Sequence, residues 1–517
     1  MSPSQNENTK RIAKNTLMLY GRMLISMLVS LYTSRIVLRT LGVEDYGIYN
    51  VVGGVVSMLS FLNASMSGAT SRFLAYEIGR GDEKVLNETF STAFIIHLLV
   101  AIVVLVISET VGLWFLENKL VIPEERMHAA RIVYQFSIFA TLLGITQVPY
   151  NACIIAREKM NIYAYVEILN VVLRLLIVYL LVIGNYDKLI LYALLQFLVS
   201  VVVLFTYRYY SISRYKETKL RLIFKKDLLC PMLTFSGWDM FGNLSMVARG
   251  QGVNMLLNTF FGPKVNAASG VATSVMSITT SFSNNFLMAL KPYMTKQYAR
   301  EEYSGMIDSI FMSSKMAYLL VSFFSIPIIL ECNFILNLWL TDTPHYAVSF
   351  CQLILIQQVV ASTSQPIIQA IHATSKIRFL SVFNGSINIL IIPLSYFILK
   401  YSWLDPNVCY LLNIGLSFVA VISNMCNLSQ KIEFPLYKYI KSVIIPCYVS
   451  FVLILLMFNQ ILSFLTEGWS RFIIVILIYL VAFIATSYFV IINKEERFFI
   501  KNILLNFKKK CLQKYLS

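Results

Sequence analysis

Four residues near the start of the chain recur at helical spacing and share a chemistry. Arg22, Ser26, Ser30 and Thr33 fall within roughly an 80° arc of one helix, and together they offer one fixed cation and three hydroxyls. A guanidinium presents paired donors that match a phosphate, and hydroxyls both donate and accept. Two more polar faces follow. Asp239, Asn243, Gln251, Asn254 and Asn258 share about 120° of a helix, while Asn266, Ser269, Thr273, Ser277, Thr280, Ser281 and Asn284 recur at i+3 and i+4. The last face reads equally well as a helix contact and as a lining, because small polar residues are common where membrane helices meet. The long amides of the second face need partners in an apolar setting, which favours a hydrated cavity lined by all three helices.

Charge sign indicates what such a cavity holds. The cations that fall inside apolar runs are Arg22, Arg35, Arg39, Arg131, Arg174, Arg249 and Lys315, against the acids Glu109, Glu167, Asp239 and Glu331. The excess attracts an anion, whereas a cavity for cationic drugs should have the opposite sign. Glu167 and Arg174 lie seven apart and are expected to pair. Glu167 and Asp239 are also the candidate carboxylates for proton or sodium coupling. Arg22 stands roughly 12 Å into its helix at 1.5 Å per residue. Arg35 and Arg39 lie off its stripe and near the far end, where they are expected to snorkel with Glu44 or Asp45 as partners. Eight scattered cysteines and four dispersed histidines, with no C-x-x-C, indicate neither a metal site nor a disulfide framework. His97 and His372 read as satisfied packing residues. No cofactor is expected; the absence of a Walker motif argues against ATP hydrolysis.

The elements that position these residues are membrane spans. The 517-residue chain is 57% hydrophobic and only 14% charged, with mean hydropathy +0.68, where a soluble protein carries roughly 25% charge. Apolar runs long enough to cross a ~30 Å hydrocarbon core give an all-α polytopic membrane protein of about fourteen spans. These are 15–40, 46–70, 88–115, 128–155, 161–184, 187–207, 231–260, 265–290, 309–339, 346–372, 377–400, 407–429, 441–464 and 470–492. The first apolar run is too long for a signal peptide and reads as a retained span. The net charge of +16 does not imply nucleic acid, because the cations sort by side. Thirty of the 43 fall at the N-terminus, in the even-numbered connections and in the tail, six on the opposite side and seven within spans. Both termini are therefore expected in the cytoplasm. The tail, 494–517, mixes Phe and Leu with lysines and reads as an interfacial helix on anionic membrane lipids.

The chain also repeats itself. PYNACIIAREK and PIIQAIHATSK both read P-x6-A-x2-K, with Pro149, Ala156 and Lys159 matching Pro366, Ala373 and Lys376 at an offset of 217. LRTLGVEDYG resembles LNTFFGPKVN, with Gly42 matching Gly262 at an offset of 220. Spans 1–6 and 7–12 are then a parallel duplication. The expected organisation is an N-lobe at 1–207, a basic cytoplasmic linker at 208–230, a C-lobe at 231–430 and two further spans within 431–493.

Two stretches carry a family resemblance: YTSRIVLRTLGVEDYGIYNVVGGVVSMLSFLNASMSGATSRFLA, and ARGQGVNMLLNTFFGPKVNAASGVATSV with LKPYMTKQYA. They resemble the bacterial O-antigen and capsule (Wzx-type) polysaccharide flippases of the multidrug/oligosaccharidyl-lipid/polysaccharide exporter superfamily. The resemblance covers all fourteen spans. It implies a MATE-like fold of two six-helix lobes plus two extra helices around a V-shaped cavity in the bacterial inner membrane. The substrate it implies is an undecaprenyl-pyrophosphate oligosaccharide, with a polysaccharide polymerase and a chain-length regulator as partners. The Tyr20-Gly21-Arg22 segment matches a stretch whose arginine faces the cavity in related peptidoglycan-precursor flippases. Arg249 aligns in the second stretch, although its helical phase is opposite Asn254. Two other readings stay open: a cation-coupled multidrug exporter on the same fold, and a membrane glycan polymerase or ligase. The second usually needs a sizeable outer loop, and none is present here.

Overall fold

Runs dense in Val and Ile favour strands in water, but a chain in hydrocarbon must satisfy every backbone N–H and C=O within the segment. The apolar runs accordingly fold as helices. The computed structural model describes residues 3–57, 60–118, 122–181, 186–220, 225–340, 343–401, 405–463, 466–493 and 496–497. The first long helices are α1 (Pro3–Ser57), α2 (Ser60–Arg80), α3 (Glu83–Asn118), α4 (Glu124–Ala156), α5 (Met160–Leu180), α6 (Lys188–Arg214), α7 (Lys226–Phe261) and α8 (Pro263–Ala299). They are followed by α9 (Tyr303–Leu330), the short α10 (Cys332–Trp339), α11 (Ala347–Ser362) and α12 (Gln365–Ala373). The last are α13 (Arg378–Tyr401), α14 (Val408–Ser429), α15 (Leu436–Phe458) and α16 (Trp469–Ile491).

Among the described residues nine helices are long and apolar enough to cross a membrane, or ten if α11 and α12, bent by 45°, form one broken span. The long helices outside that set are α1, α2, α7 and α8. Three of them carry the polar faces identified above. With these four, the helices are compatible with fourteen spans.

The duplication is written into the backbone. Residues with left-handed φ recur at matched places: Gly42 (81°) with Gly262 (78°), Gly81 (80°) with Glu301 (60°), and Glu158 (60°) with Ser375 (66°). Their separations are 220, 220 and 217 residues. Ala156 and Ala373 each end a helix seven residues after Pro149 and Pro366. At Gly42 the positive φ interrupts α1 and turns span 1 into span 2; an L-residue there meets its own carbonyl.

Two compact units are present: residues 1–244 with 288–302 and 372–381, and residues 245–287 with 303–371 and 382–517. In the first, Leu74, Phe90, Tyr150, Ile177 and Tyr207 form the core between α2 and α6. A second cluster gathers around Tyr134, whose hydroxyl donates to the Ser108 carbonyl at 2.7 Å, in a π turn of α3. In the second unit, buried tyrosines pin helices through backbone carbonyls: Tyr439 to Thr363 at 2.7 Å and Tyr479 to Ser322 at 3.0 Å.

Helix ends differ from the hydropathy boundaries. The apolar runs stop at 70 and 290, but α2 continues to Arg80 and α8 to Ala299. Arg72, assigned to a connection, is 5% exposed, and Lys291 is half-buried on α8. Arg72 donates to the Ala373 carbonyl at 2.9 Å and Lys291 lies near Asp239, so both first charges have tertiary partners. The basic stretch after α6 is likewise held in place. Glu217 is buried and accepts from Arg157 Nε at 2.6 Å, Asn87 donates to the Glu217 carbonyl at 2.8 Å, and Lys225 pairs with Glu88 at 2.6 Å. Residues 221–224 and nearly all of the 494–517 tail lie outside the described residues.

Candidate functional site

The stripe on α1 meets a matching stripe on α5. Arg22 donates from Nη1 to the Tyr163 hydroxyl at 3.2 Å and lies over that ring, 5.1 Å from its centroid. One turn further along α5, Glu167 accepts from the Tyr207 hydroxyl of α6 at 3.1 Å. Further still, Asn170 accepts from Arg174 Nε at 3.2 Å. Eight residues beyond Arg22 and eleven beyond Tyr163, Ser30 and Arg174 line the same cleft, so the two helices run in the same direction. The cleft has a volume of about 170 Å³, and its polar lining is Ser30, Thr33, Arg174, Tyr192 and Gln196. Gln196 donates to the Tyr192 hydroxyl at 3.0 Å, and Thr33 to the Ser30 carbonyl at 3.1 Å. Ser26 is half-buried on α1 between the two ends of this seam.

The arrangement differs from the expected Glu167–Arg174 pair. Seven-residue spacing puts both on one face, but Tyr207 reaches Glu167 from α6, and Asn170, one turn away, takes Arg174. Arg174 is thereby an exposed basic residue of the cleft. Among the described residues Asp45 is not a partner of Arg39. It takes Arg126 at 2.5 Å, and Arg126 also pairs with Asp187 at 2.7 Å. The side chains of Arg35 and Glu44 lie outside the described residues.

Other embedded cations have acidic partners. Arg131 pairs with Glu117 and Lys315 with Glu496, both at 2.8 Å; the acid Glu331 pairs with Arg471 at 2.9 Å. These ions do not contribute to a cationic cavity, whereas Arg22 and Arg174 give the α1–α5 seam its basic character.

In the second unit Arg249 donates to Asn388 at 3.2 Å and to Asn413 at 3.4 Å. Asn254 accepts from Ser269 at 2.8 Å, and Ser269 in turn accepts from the buried Tyr410 hydroxyl at 2.9 Å. Thr273, Ser277, Thr280 and Ser281 each donate to a carbonyl four residues back, so their hydrogens are committed within α8. Asn284 is exposed, and the side chain of Asn258 lies outside the described residues.

Asp239 belongs to another cluster, in the first unit. It accepts from Asn243 Nδ2 at 3.1 Å and lies 3.9 Å from His372 Nδ1. His97 is a packing residue, with Nδ1 2.8 Å from the Ala93 carbonyl; His372 packs edge-on against Phe235 beside Asp239. Hydropathy placed Lys291 in a connection and so missed its place beside Asp239.

A model of polysaccharide biosynthesis proteins matches residues 12–297, more than half of the chain and all of the α1–α5 seam. The chain belongs to that family. Among curated proteins, the uncharacterized membrane protein EpsK of Bacillus subtilis (strain 168) is 20% identical over 158 residues. That match spans 31% of this chain and 31% of EpsK. Solved structures show the fold of this family member. A MATE in the bent conformation superposes with a TM-score of 0.74 at 14% identity, over 83% of this chain and 96% of that one. An outward-facing multidrug resistance MATE transporter of the MOP superfamily gives 0.72 at 14% identity, over 82% and 96%. A MOP superfamily transporter from Pyrococcus furiosus gives 0.69 at 14% identity, over 83% and 96%; its binding pocket is described as having reverse polarity. The protein is thus a multi-pass membrane member of the polysaccharide biosynthesis family with a MATE-type transporter fold.

Proposed function

We propose that this protein is a flippase for undecaprenyl-pyrophosphate-linked oligosaccharide repeat units. It acts in the cytoplasmic membrane of a bacterium, with both termini inside, and serves surface polysaccharide synthesis. The observation that carries the reading is the basic seam of α1 and α5. Arg22 is the pyrophosphate ligand at its cytoplasmic end. Arg174, Ser30, Thr33, Tyr192 and Gln196 supply charge and hydrogen bonds for phosphate and sugar hydroxyls further out. The lipid tail stays in the bilayer while the head group passes through the protein by alternating access. Transport requires that the ligand bind the inward and outward states with different affinity. A proton or sodium gradient, or consumption of the product by a polymerase with its chain-length regulator, gives the direction. A multidrug exporter of the same fold needs an acidic lining for cationic drugs, and this seam is basic.

Arg22→Ala is expected to abolish surface polysaccharide in a deletion strain complemented at normal expression, with repeat units retained on the inner face. Arg22→Lys keeps the charge but loses paired donation, and should restore part of the export. Full export by the alanine variant would sink the assignment.

A further inference from the structure

Two cysteines of the second unit meet where α9 gives way to α10. Cys332 is the first residue of α10, and Cys351 stands near the start of α11. The Cys332 thiol donates to the Val348 carbonyl at 3.7 Å, and its sulfur also shares a hydrogen bond with the Cys351 thiol. Gln352, the residue after Cys351, donates from Nε2 to the Ile329 carbonyl in the last turn of α9 at 3.0 Å. The pair is thus bracketed, with Ile329 bonded to Gln352 on one side and Cys332 to Val348 on the other. Packing holds it there. Cys332 is 1% exposed and Cys351 0%, and Leu336, Ala347 and Phe350 beside them are fully buried. Both cysteines are free thiols in the structure.

Polar side chains stand just beyond the pair. Asn333 donates to Glu467 at 2.9 Å and Thr343 to Asn337 at 2.6 Å, with Asn333, Asn337 and Glu467 exposed. They place the thiols close beneath one surface of the protein. On the orientation proposed above, that surface faces away from the cytoplasm, on the side where disulfides form and persist. Among the described residues no three metal-ligating side chains gather. Oxidation to one another is the chemistry left to the two sulfurs.

We propose that Cys332 and Cys351 are joined by a disulfide on the outer side of the membrane, which fastens α10 to α11. The inference rests on the orientation and not on the substrate. Its oxidant is an external disulfide, carried by a protein or a small thiol compound of the outer compartment. One cysteine thiolate attacks that disulfide, and a mixed disulfide forms as one external thiol leaves. The second cysteine attacks the cysteine sulfur of the mixed bond and releases the other external thiol. Two cysteine thiols are oxidised, one external disulfide is reduced, and the two cysteine protons end on the departing thiols. Exchange needs access to the sulfurs. The bond therefore forms while the connection from α9 to α11 is still unpacked, and the finished core shields it from reductants. It closes residues 332–351 into a loop, which restricts the unfolded chain and keeps all of α10 against α11.

Counting thiols tests this. Cells are quenched in acid, which removes the reactive thiolates, and the protein is then alkylated in denaturant without reductant. Two of the eight cysteines should resist. Digestion should release a peptide cross-linked between Cys332 and Cys351, two hydrogens lighter than its separate halves. Cys332→Ala and Cys351→Ala should each show one more reactive thiol than the unsubstituted protein, although each holds one cysteine fewer. Alkylation of all eight cysteines, or one thiol fewer in each variant, would overturn the proposal. The side of the membrane is read separately. Glu467→Cys should react with an impermeant maleimide in intact cells. A shielded Glu467→Cys removes the orientation and the disulfide argument with it, whereas a reactive one beside a reduced pair refutes the disulfide alone. Intact export in Arg22→Ala, which would remove the flippase reading, leaves every thiol count unchanged.

Discussion

At the scale of the residue, what matters is which charges are already balanced. A lone charge at bilayer depth costs roughly 2.5–3.5 kcal/mol on insertion scales, so each must be balanced or used. Arg131, Lys315 and Arg471 are balanced by Glu117, Glu496 and Glu331. Arg22 shares its charge with the Tyr163 ring and hydroxyl. Arg174 has its Nε on a neutral amide and stands exposed on the cleft. Arg174→Gln should therefore lower export several-fold while leaving stability within about 0.5 kcal/mol, as for surface changes away from packed features. Parallel export and melting measurements check this, and a fall in both would make Arg174 a structural residue. The stripe Arg22, Ser26, Ser30 and Thr33 was legible from spacing because a helix fixes which residues share its face. The partner of Glu167 was not, because Tyr207 comes from a different helix, 40 residues away in sequence.

At the scale of the element, the turns repeat more faithfully than the sequence does. Gly42 and Gly262 hold φ near +80° at the corresponding break in each repeat, with nothing within 4 Å of an added Cβ. The penalty of substitution is thus purely conformational. Gly42→Ala and Gly262→Ala should each cost about 1–2 kcal/mol. Gly21→Ala, inside α1 with equally open surroundings, should cost nothing or stabilise by up to about 1 kcal/mol. Thermal melting in detergent distinguishes these, and equal effects at all three sites would refute the turn argument. Both glycines were paired from the sequence. The matching of Glu158 with Ser375, and of Gly81 with Glu301, was not visible, because a left-handed residue other than glycine leaves no compositional mark.

At the scale of the whole molecule, charged clamps join segments far apart in the chain. On the side opposite the basic connections, Arg126 bridges Asp45 of α1 and Asp187, whose side chain also caps α6 by accepting from Leu189 and Ile190 N–H. Burial alone would raise the Asp187 carboxyl, but the Arg126 hydrogen bond and the cap outweigh it, and the group is held below the usual carboxylate range. A carboxylate depressed in the folded state contributes stability above its unfolded pKa and loses it as pH falls through the folded value. The melting temperature should therefore drop below about pH 4, and Asp187→Asn should remove that part of the acid sensitivity. An unchanged acid limb in the variant would show that Asp187 carries none of it.

The sequence by itself determined that the chain is helical, crosses the membrane many times, is internally duplicated and is basic where its first helix carries Arg22. Those properties follow from composition, run length and a 3.6-residue period, which are local and cumulative. Only the tertiary structure decided which charges cancel, how far α2 and α8 continue past their first charges, and that Asp239, Lys291 and His372 meet. Residues 52 and 81 positions apart carry no signal of proximity until α7, α8 and α12 are packed against α2. In a low-dielectric interior that meeting sets the energy of every charge involved.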